Sequence, residues 1–356
     1  MLAFAQAEFC AVNAAGDAQC DARFSPAYSG EDVGDAIGFT VPLDGEKFEQ
    51  FDGTARRAKR VSCASYKANF PIEDKFDVHA SADGGVYALV LDGHGGWQVS
   101  EYGRKVLIGN VEREVEQLHA FKASKKNPQD GSSPKVTKHH IASAIQRGFG
   151  RTDRDLLAQV TSAFQLGFGA VGRCGSCALL VLVKGDVLHV ANAGDIRAVL
   201  GKKTGADKWV AVALTQDQNA MSKAEQEKLT REHPGEENVF GALQPTRAFG
   251  DFALKYSEFN GPAYVKSHEI KADDEFVIIG SDGVWDFLTN EEAVDAVKEA
   301  LAAGTPERAG RMVVEKTLQK AAARYGMTYS ELLSLPPGGH RRRRHDDTTV
   351  VIVFLK

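Results

Sequence analysis

The chain has 356 residues, 43% hydrophobic and 26% charged, with a formal net charge of −5. This composition supplies the core of one large or two ordinary domains and lacks the basic balance of a nonspecific nucleic-acid binder. No apolar stretch approaches the roughly eighteen residues that span a bilayer, so neither nucleic acid nor membrane is an expected partner.

The start, residues 1–8, has no basic segment ahead of an apolar one, and no arginine precedes Arg23, which argues against a secretory or transit leader. Five cysteines, odd in number and irregularly spaced, suit a reducing compartment. The pair Cys174 and Cys177 has no second pair, so a zinc site is not expected.

Residues 1–60 are rich in Ala, Gly, Asp and Ser with only short apolar runs, and read as an N-terminal extension ahead of a folded domain at 61–356. Residues 61–67 alternate like a strand, and Pro71 keeps the following Glu73-Asp74 on extended chain or a turn. Residues 86–91 are apolar throughout, as in a strand buried on both faces, and stop abruptly in Asp92-Gly93-His94-Gly95-Gly96. A buried strand therefore ends in a carboxylate, an imidazole and three glycines. Helical periodicity follows over 97–118 and 141–160, on either side of a polar loop at 122–137. Strands are predicted at 178–183, 187–193 and 196–200, with short turn-like separators that favour antiparallel hairpins, and another at 210–214. A charged helix over 222–232 comes next, closed by Pro234.

The run 276–280 repeats the buried-strand theme and ends in Ser281-Asp282-Gly283-Val284-Trp285-Asp286. Helices are predicted at 291–302, 306–323 and around 329–333, and a last strand at 348–354, headed by Asp346-Asp347. The run Arg341 to Arg344 reads as a solvated loop before that strand. Many hairpin strands with a few long helices predict an α+β fold, sheets inside and helices outside.

Three buried-strand ends now carry carboxylates: Asp92, Asp282 and Asp346. Each alone would pass for a turn or capping residue. Together they repel one another unless a cation lies between them. Oxygen ligands of this kind, with a backbone carbonyl freed by Gly93, suit Mg²⁺ or Mn²⁺. Two such ions about 3.5–4 Å apart can activate a water and clamp a phosphoryl oxygen for in-line attack.

These motifs, with Gly194-Asp195-Ile196-Arg197, Leu214-Thr215-Gln216-Asp217, Thr246-Arg247-Ala248-Phe249-Gly250-Asp251 and Asp346-Asp347-Thr348-Thr349-Val350, resemble the metal-dependent serine/threonine phosphatases of the PPM, or protein phosphatase 2C, family. Order and spacing match from Ser62 to the C-terminus. Within the family, residues 69–74, 188–195, Asn219-Ala220 with 232–234, and 244–251 most resemble the pyruvate dehydrogenase phosphatase branch.

The resemblance implies a four-layer α-β-β-α fold, a central antiparallel β-sandwich flanked by helices, with two Mn²⁺ or Mg²⁺ ions at one end. Asp92 would bridge the ions, the Gly93 carbonyl would bind one, and Asp282 and Asp346 the other. Glu73, with Asp74 beside it, would act through metal-bound water, and Asp195 and Asp286 match positions linked to a weaker third ion. A metal-bridging hydroxide would attack phosphoserine or phosphothreonine in line. His94 would be the general acid on the leaving oxygen, a role that suits imidazole, whose charge change falls nearest neutral pH. Asn69 and Arg247 are the candidate substrate contacts, Arg247 being equally suited to bracing its loop.

Three positions depart from the family pattern. Asn69 stands where much of the family has a phosphate-binding arginine, Gln218 stands where a histidine is usual, and Asp347 replaces the usual asparagine. Phosphoprotein substrates and a monomer are the expectation, with the cytoplasm as the expected compartment and the mitochondrial setting of the branch or a nuclear one as the alternatives. The alternative is a pseudophosphatase that keeps the fold and binds phosphoproteins. Inactive relatives would be expected to lose metal carboxylates, and all of them are present here.

Overall fold

The computed structural model describes residues 42–51, 57–125, 133–205, 207–232, 244–252 and 263–356. In chain order come strands β1 (Gly45–Gln50), β2 (Arg60–Tyr66), β3 (Lys75–Ala80) and β4 (Val86–His94), then two long helices, α1 (Gln98–Ser124) and α2 (Lys138–Gln165). The middle holds β5 (Gly175–Lys184), β6 (Val187–Ala193), β7 (Arg197–Lys203), β8 (Trp209–Ala213) and α3 (Lys223–Glu232). The remainder is β9 (Phe249–Gly250), β10 (Tyr264–Glu269), β11 (Asp274–Gly280), α4 (Asp282–Trp285), α5 (Asn290–Ala302), α6 (Ala309–Arg324), α7 (Tyr329–Ser334), α8 (Gly339–Arg342) and β12 (Thr348–Phe354).

One sheet runs β1-β2-β12-β11-β7-β8 and the other β10-β6-β5-β4-β3, with β9 added against the end of β5. Every pairing is antiparallel. Alternation inside the apolar runs explains the layering, because successive strand side chains point to opposite faces. From β4, Val86, Ala88 and Val90 pack between the sheets with Val351 and Val353 of β12, while Tyr87, Leu89 and Leu91 pack under α1 and α2. From β12, Val350, Ile352 and Phe354 face α5 and α6 instead. Strands buried on both faces read as unbroken apolar runs, and the four-layer α-β-β-α order follows.

The segment 1–60 read as an extension supplies β1, the edge strand paired to β2 from Gly45↔Ser65 to Gln50↔Arg60. Residues 1–41 of it lie outside the described residues, as does Pro234. Capping boxes set helix starts: Thr137 with His140 for α2, Thr289 with Glu292 for α5, and Thr328 with Glu331 for α7. Among the described residues no helix is long and apolar enough to cross a membrane.

Two crossings between the sheets matter for the site. The chain leaves β2 for β3 through residues 67–74, and leaves β6 for β7 through Gly194-Asp195-Ile196, where Gly194 has φ +123°. A side chain would strain that turn, so glycine is required there. Both crossings open at the end of the sandwich where β4 and β11 finish and β12 begins.

Candidate active site

Five segments meet at that end. The β2–β3 crossing brings Asn69, Glu73 and Asp74; the end of β4 brings Asp92, Gly93 and His94; the β6–β7 crossing brings Asp195. Helix α4 carries Asp282, with Asp286 just past it, and the approach to β12 carries Asp346 and Asp347. The backbone N–H of Asp282 donates to Asp92 Oδ2 at 3.3 Å, joining the two strand ends. Gly93 lies so close to the crossing that an added Cβ would sit 2.6 Å from the Glu73 carbonyl oxygen, and the Ser100 hydroxyl of α1 donates to that same carbonyl.

The carboxylates are close enough to disturb one another. Burial pushes Asp92 well above the usual carboxylate range, and Asp282, Asp74, Asp346 and Asp195 push it further. Asp282 is raised by burial and by Asp346, Asp195 and Asp286; Asp74 by burial and by Asp347 and Asp346. Burial carries Asp346 up to about 6 although Arg342 opposes it, and Glu73, Asp195 and Asp286 are raised by burial as well.

Asp282 Oδ1 and Asp74 Oδ2 are buried without a hydrogen-bond partner. Among the described residues no three His, Cys, Asp or Glu side chains are gathered into a closed metal cage. Like charges held apart by repulsion have that arrangement, and the donors, oxygen only and with orphaned lone pairs, fit a hard divalent cation.

Asp347 organises the crossing. Its Oδ1 accepts the backbone N–H groups of Ala68 and Asn69 at 2.6 and 2.8 Å, and its Oδ2 accepts that of Glu73 at 2.7 Å. The Asn69 amide donates to Asp346 Oδ1 at 3.3 Å and to Asp347 Oδ2 at 3.2 Å. His94 projects to the other side, its Nε2 at 3.0 and 2.9 Å from the two oxygens of Asp251. Eight carboxylates and an imidazole oriented by a ninth therefore gather at this end of the sandwich.

A family model described as Protein phosphatase 2C matches residues 52–326. The chain belongs to the protein phosphatase 2C family. It is therefore a metal-dependent protein serine/threonine phosphatase, and phosphoproteins are its substrates. Similar curated proteins include probable protein phosphatase 2C 48 of Arabidopsis thaliana, 32% identical over 315 residues that cover 78% of this chain and 76% of that one. Probable protein phosphatase 2C 34 of Oryza sativa subsp. indica is 31% identical over 312 residues, 79% of this chain and 76% of that one. A crystal structure of serine-threonine phosphatase 2C from Toxoplasma gondii shares the fold, with a TM-score of 0.62 at 17% identity, covering 88% of this chain and 99% of that one.

Three features of this phosphatase 2C site were not legible as roles in the sequence. Asp251 partners His94, and Asp347 holds three backbone N–H groups of the Glu73 crossing. Gln218, at the departing histidine position, accepts the Gly194 N–H through its side chain at 3.0 Å and exchanges backbone bonds with Gly194 and Thr246, so it props the turn that presents Asp195. Arg247 is half-buried in the bend that leads to β9, and its carbonyl accepts the Cys177 thiol at 3.8 Å. The arginine run is not a solvated loop. Arg341 is buried, donating to the carbonyls of Leu335 and Lys67 at 2.9 and 3.0 Å with its guanidinium 4.9 Å over Tyr66.

Proposed function

We propose that the phosphatase works with two divalent ions, Mn²⁺ or Mg²⁺, held by Asp92, the Gly93 carbonyl, Asp282 and Asp346, with Glu73 and Asp74 acting through water and a weaker third site at Asp195 and Asp286. Burial raises Asp92, Asp282 and Asp346 together, with Asp282 and Asp346 pushing Asp92 further and Asp346 pushing Asp282 further, and this crowding of buried carboxylates is the observation that supports the reading most. Bound ions would supply an activated water and offset phosphoryl charge. His94 delivers a proton to the departing seryl or threonyl oxygen, which would otherwise leave as a costly alkoxide. Asp251 fixes the ring that does so, and Asn69 and Arg247 contact the substrate.

Phosphate release from a phosphothreonine peptide, with Mn²⁺, with Mg²⁺ and with EDTA, tests the reading. Turnover with the ions and none in EDTA is expected. A folded chain that binds Mn²⁺ and releases nothing would favour a phosphoprotein-binding pseudophosphatase.

Asn69 and Asp347 support a place near the pyruvate dehydrogenase phosphatase branch, with the substrate docked on variable loops. Among the described residues Cys63, Cys174 and Cys177 are unpaired, in keeping with a reducing compartment, and we place the chain in the cytoplasm as a monomer.

A further inference from the structure

One member of the arginine run meets a carboxylate of the site, where the others meet backbone carbonyls or an aromatic ring. Arg341 is spent on carbonyls of Leu335 and Lys67. Arg343 donates to the Gly339 carbonyl at 2.9 Å, and Arg344 lies 5.0 Å over the Tyr325 ring. Arg342 alone turns toward the carboxylates, with Nη2 2.5 Å from Asp346 Oδ2, opposite the oxygen that faces Asn69.

Arg342 stands at the mouth of the site. Its side chain is 50% exposed while that of Asp346 is 15% exposed, so the guanidinium lies between solvent and the cluster. Its charge is felt by Glu73, Asp286 and Asp346, which come from three separate segments. The two other guanidinia felt by Asp286 are engaged elsewhere. Arg197 grips Asp217 at 2.9 and 2.5 Å and lies over Trp285, and Arg324 donates to the Asp286 carbonyl and lies over Phe287. Buried Arg341 anchors the backbone beside Arg342, so the exposed guanidinium is held on a fixed base.

A phosphate monoester must approach a rim of carboxylates that repel it, and a cation at the entrance offsets that repulsion. A guanidinium also presents a planar fork that matches two phosphoryl oxygens, which a point charge or the neutral Asn69 amide cannot do. We propose that Arg342, together with Asn69 and Arg247, contacts the phosphate at this site, binding the phosphoryl oxygens of the substrate and of the inorganic phosphate product. The proposal rests on the phosphatase reading above.

The test compares Arg342→Ala, Arg342→Lys and Arg343→Ala with the unaltered chain. Calorimetry measures binding of inorganic phosphate to the Mn²⁺-loaded protein and of Mn²⁺ to the metal-free protein, and kinetics give KM for a phosphothreonine peptide. Arg342→Ala should weaken inorganic phosphate by about tenfold or more and raise KM to match, with Mn²⁺ bound at least as tightly as before. Arg342→Lys, which keeps the charge and loses the fork, should fall between, and Arg343→Ala should change neither quantity. Unchanged phosphate affinity in Arg342→Ala would overturn the proposal and leave Arg342 as a counter-charge to Asp346. Phosphate binding is read without turnover, so an unaltered chain that binds phosphate through Arg342 and hydrolyses nothing would sink the reaction and not this role.

Discussion

His94 Nε2 lies 3.0 and 2.9 Å from the two oxygens of Asp251, a carboxylate with no exposed surface that comes from the chain 157 residues later. Asp251 is the single non-glycine among the described residues with positive φ, +54°, and its own N–H is tied to the Cys174 carbonyl at 2.9 Å. The proposed acid is therefore aimed by a buried, backbone-fixed partner. His94→Ala should lower kcat on a phosphothreonine peptide on the order of a hundredfold, and Asp251→Asn by a smaller factor. Both should act far more weakly on p-nitrophenyl phosphate, whose phenolate leaves without a proton. Equal losses on the two substrates would count against a proton-donor role.

The carboxylate cluster sets a cost on the metal-free fold. A raised folded pKa means stability that is present below the unfolded value and lost as pH rises through the folded one. For Asp346 that window runs from 3.8 to about 6. Near pH 7.5 in EDTA, Asp346→Asn should therefore be more stable than the unaltered chain by up to about 3 kcal/mol, with the gap closing below pH 4. Mn²⁺ at about a hundred times its dissociation constant should stabilise the unaltered chain by about 2.7 kcal/mol and the variant by less. Urea titrations with and without Mn²⁺ measure both.

What the sequence revealed depended on burial. The strand predicted over 348–354 is found as Thr348–Phe354, because both of its faces are covered, every position is buried and an apolar run fills it from Val350 on. The edge strands β1, β3 and β10, with sequences GEKFEQ, KFDVHA and YVKSHE, escaped notice because a half-solvated edge carries polar residues. Both long helices extend past their apolar stripes, α2 starting at Lys138 where Thr137 caps it. Asp92, Asp282 and Asp346 stood out as carboxylates at the ends of apolar runs. The Asp251 partnership did not, since nothing local links a two-residue strand to a loop 157 positions away. Nor does composition say which arginine of four folds inward.

Asp347 tests how the Glu73 crossing is held. Its two oxygens take three backbone N–H groups between them, from Ala68, Asn69 and Glu73. Asp347→Asn would set an amide N–H against one of these donors. The variant should lose about 1–3 kcal/mol and bind Mn²⁺ more weakly as Glu73 drifts. Unfolding by urea and Mn²⁺ calorimetry check the two effects together, and a variant unchanged in both would show that the crossing holds without Asp347.

Acid sensitivity has a separate source. His189 has no exposed surface, bonds Ser267 Oγ through Nδ1 at 2.9 Å, and is held by burial down at about 4. A depressed folded pKa gives stability that is full above about 6.5 and lost as pH falls toward 4, here up to about 3 kcal/mol. Replacing it, His189→Asn, should flatten the pH dependence of the urea midpoint over that window, whatever its cost at pH 7.5. A variant that keeps the full acid slope would move the cause elsewhere.

In the proposed mechanism, carboxylates at the strand ends hold the cations that drive phosphoester hydrolysis. The most direct measurement follows bound Mn²⁺ and phosphate release in the same titration, for the unaltered chain and for Asp282→Asn. Release should rise in step with occupancy, vanish in EDTA, and fall by at least about a hundredfold in the variant. Full turnover in EDTA, or in an Asp282→Asn chain that no longer retains Mn²⁺, would contradict it.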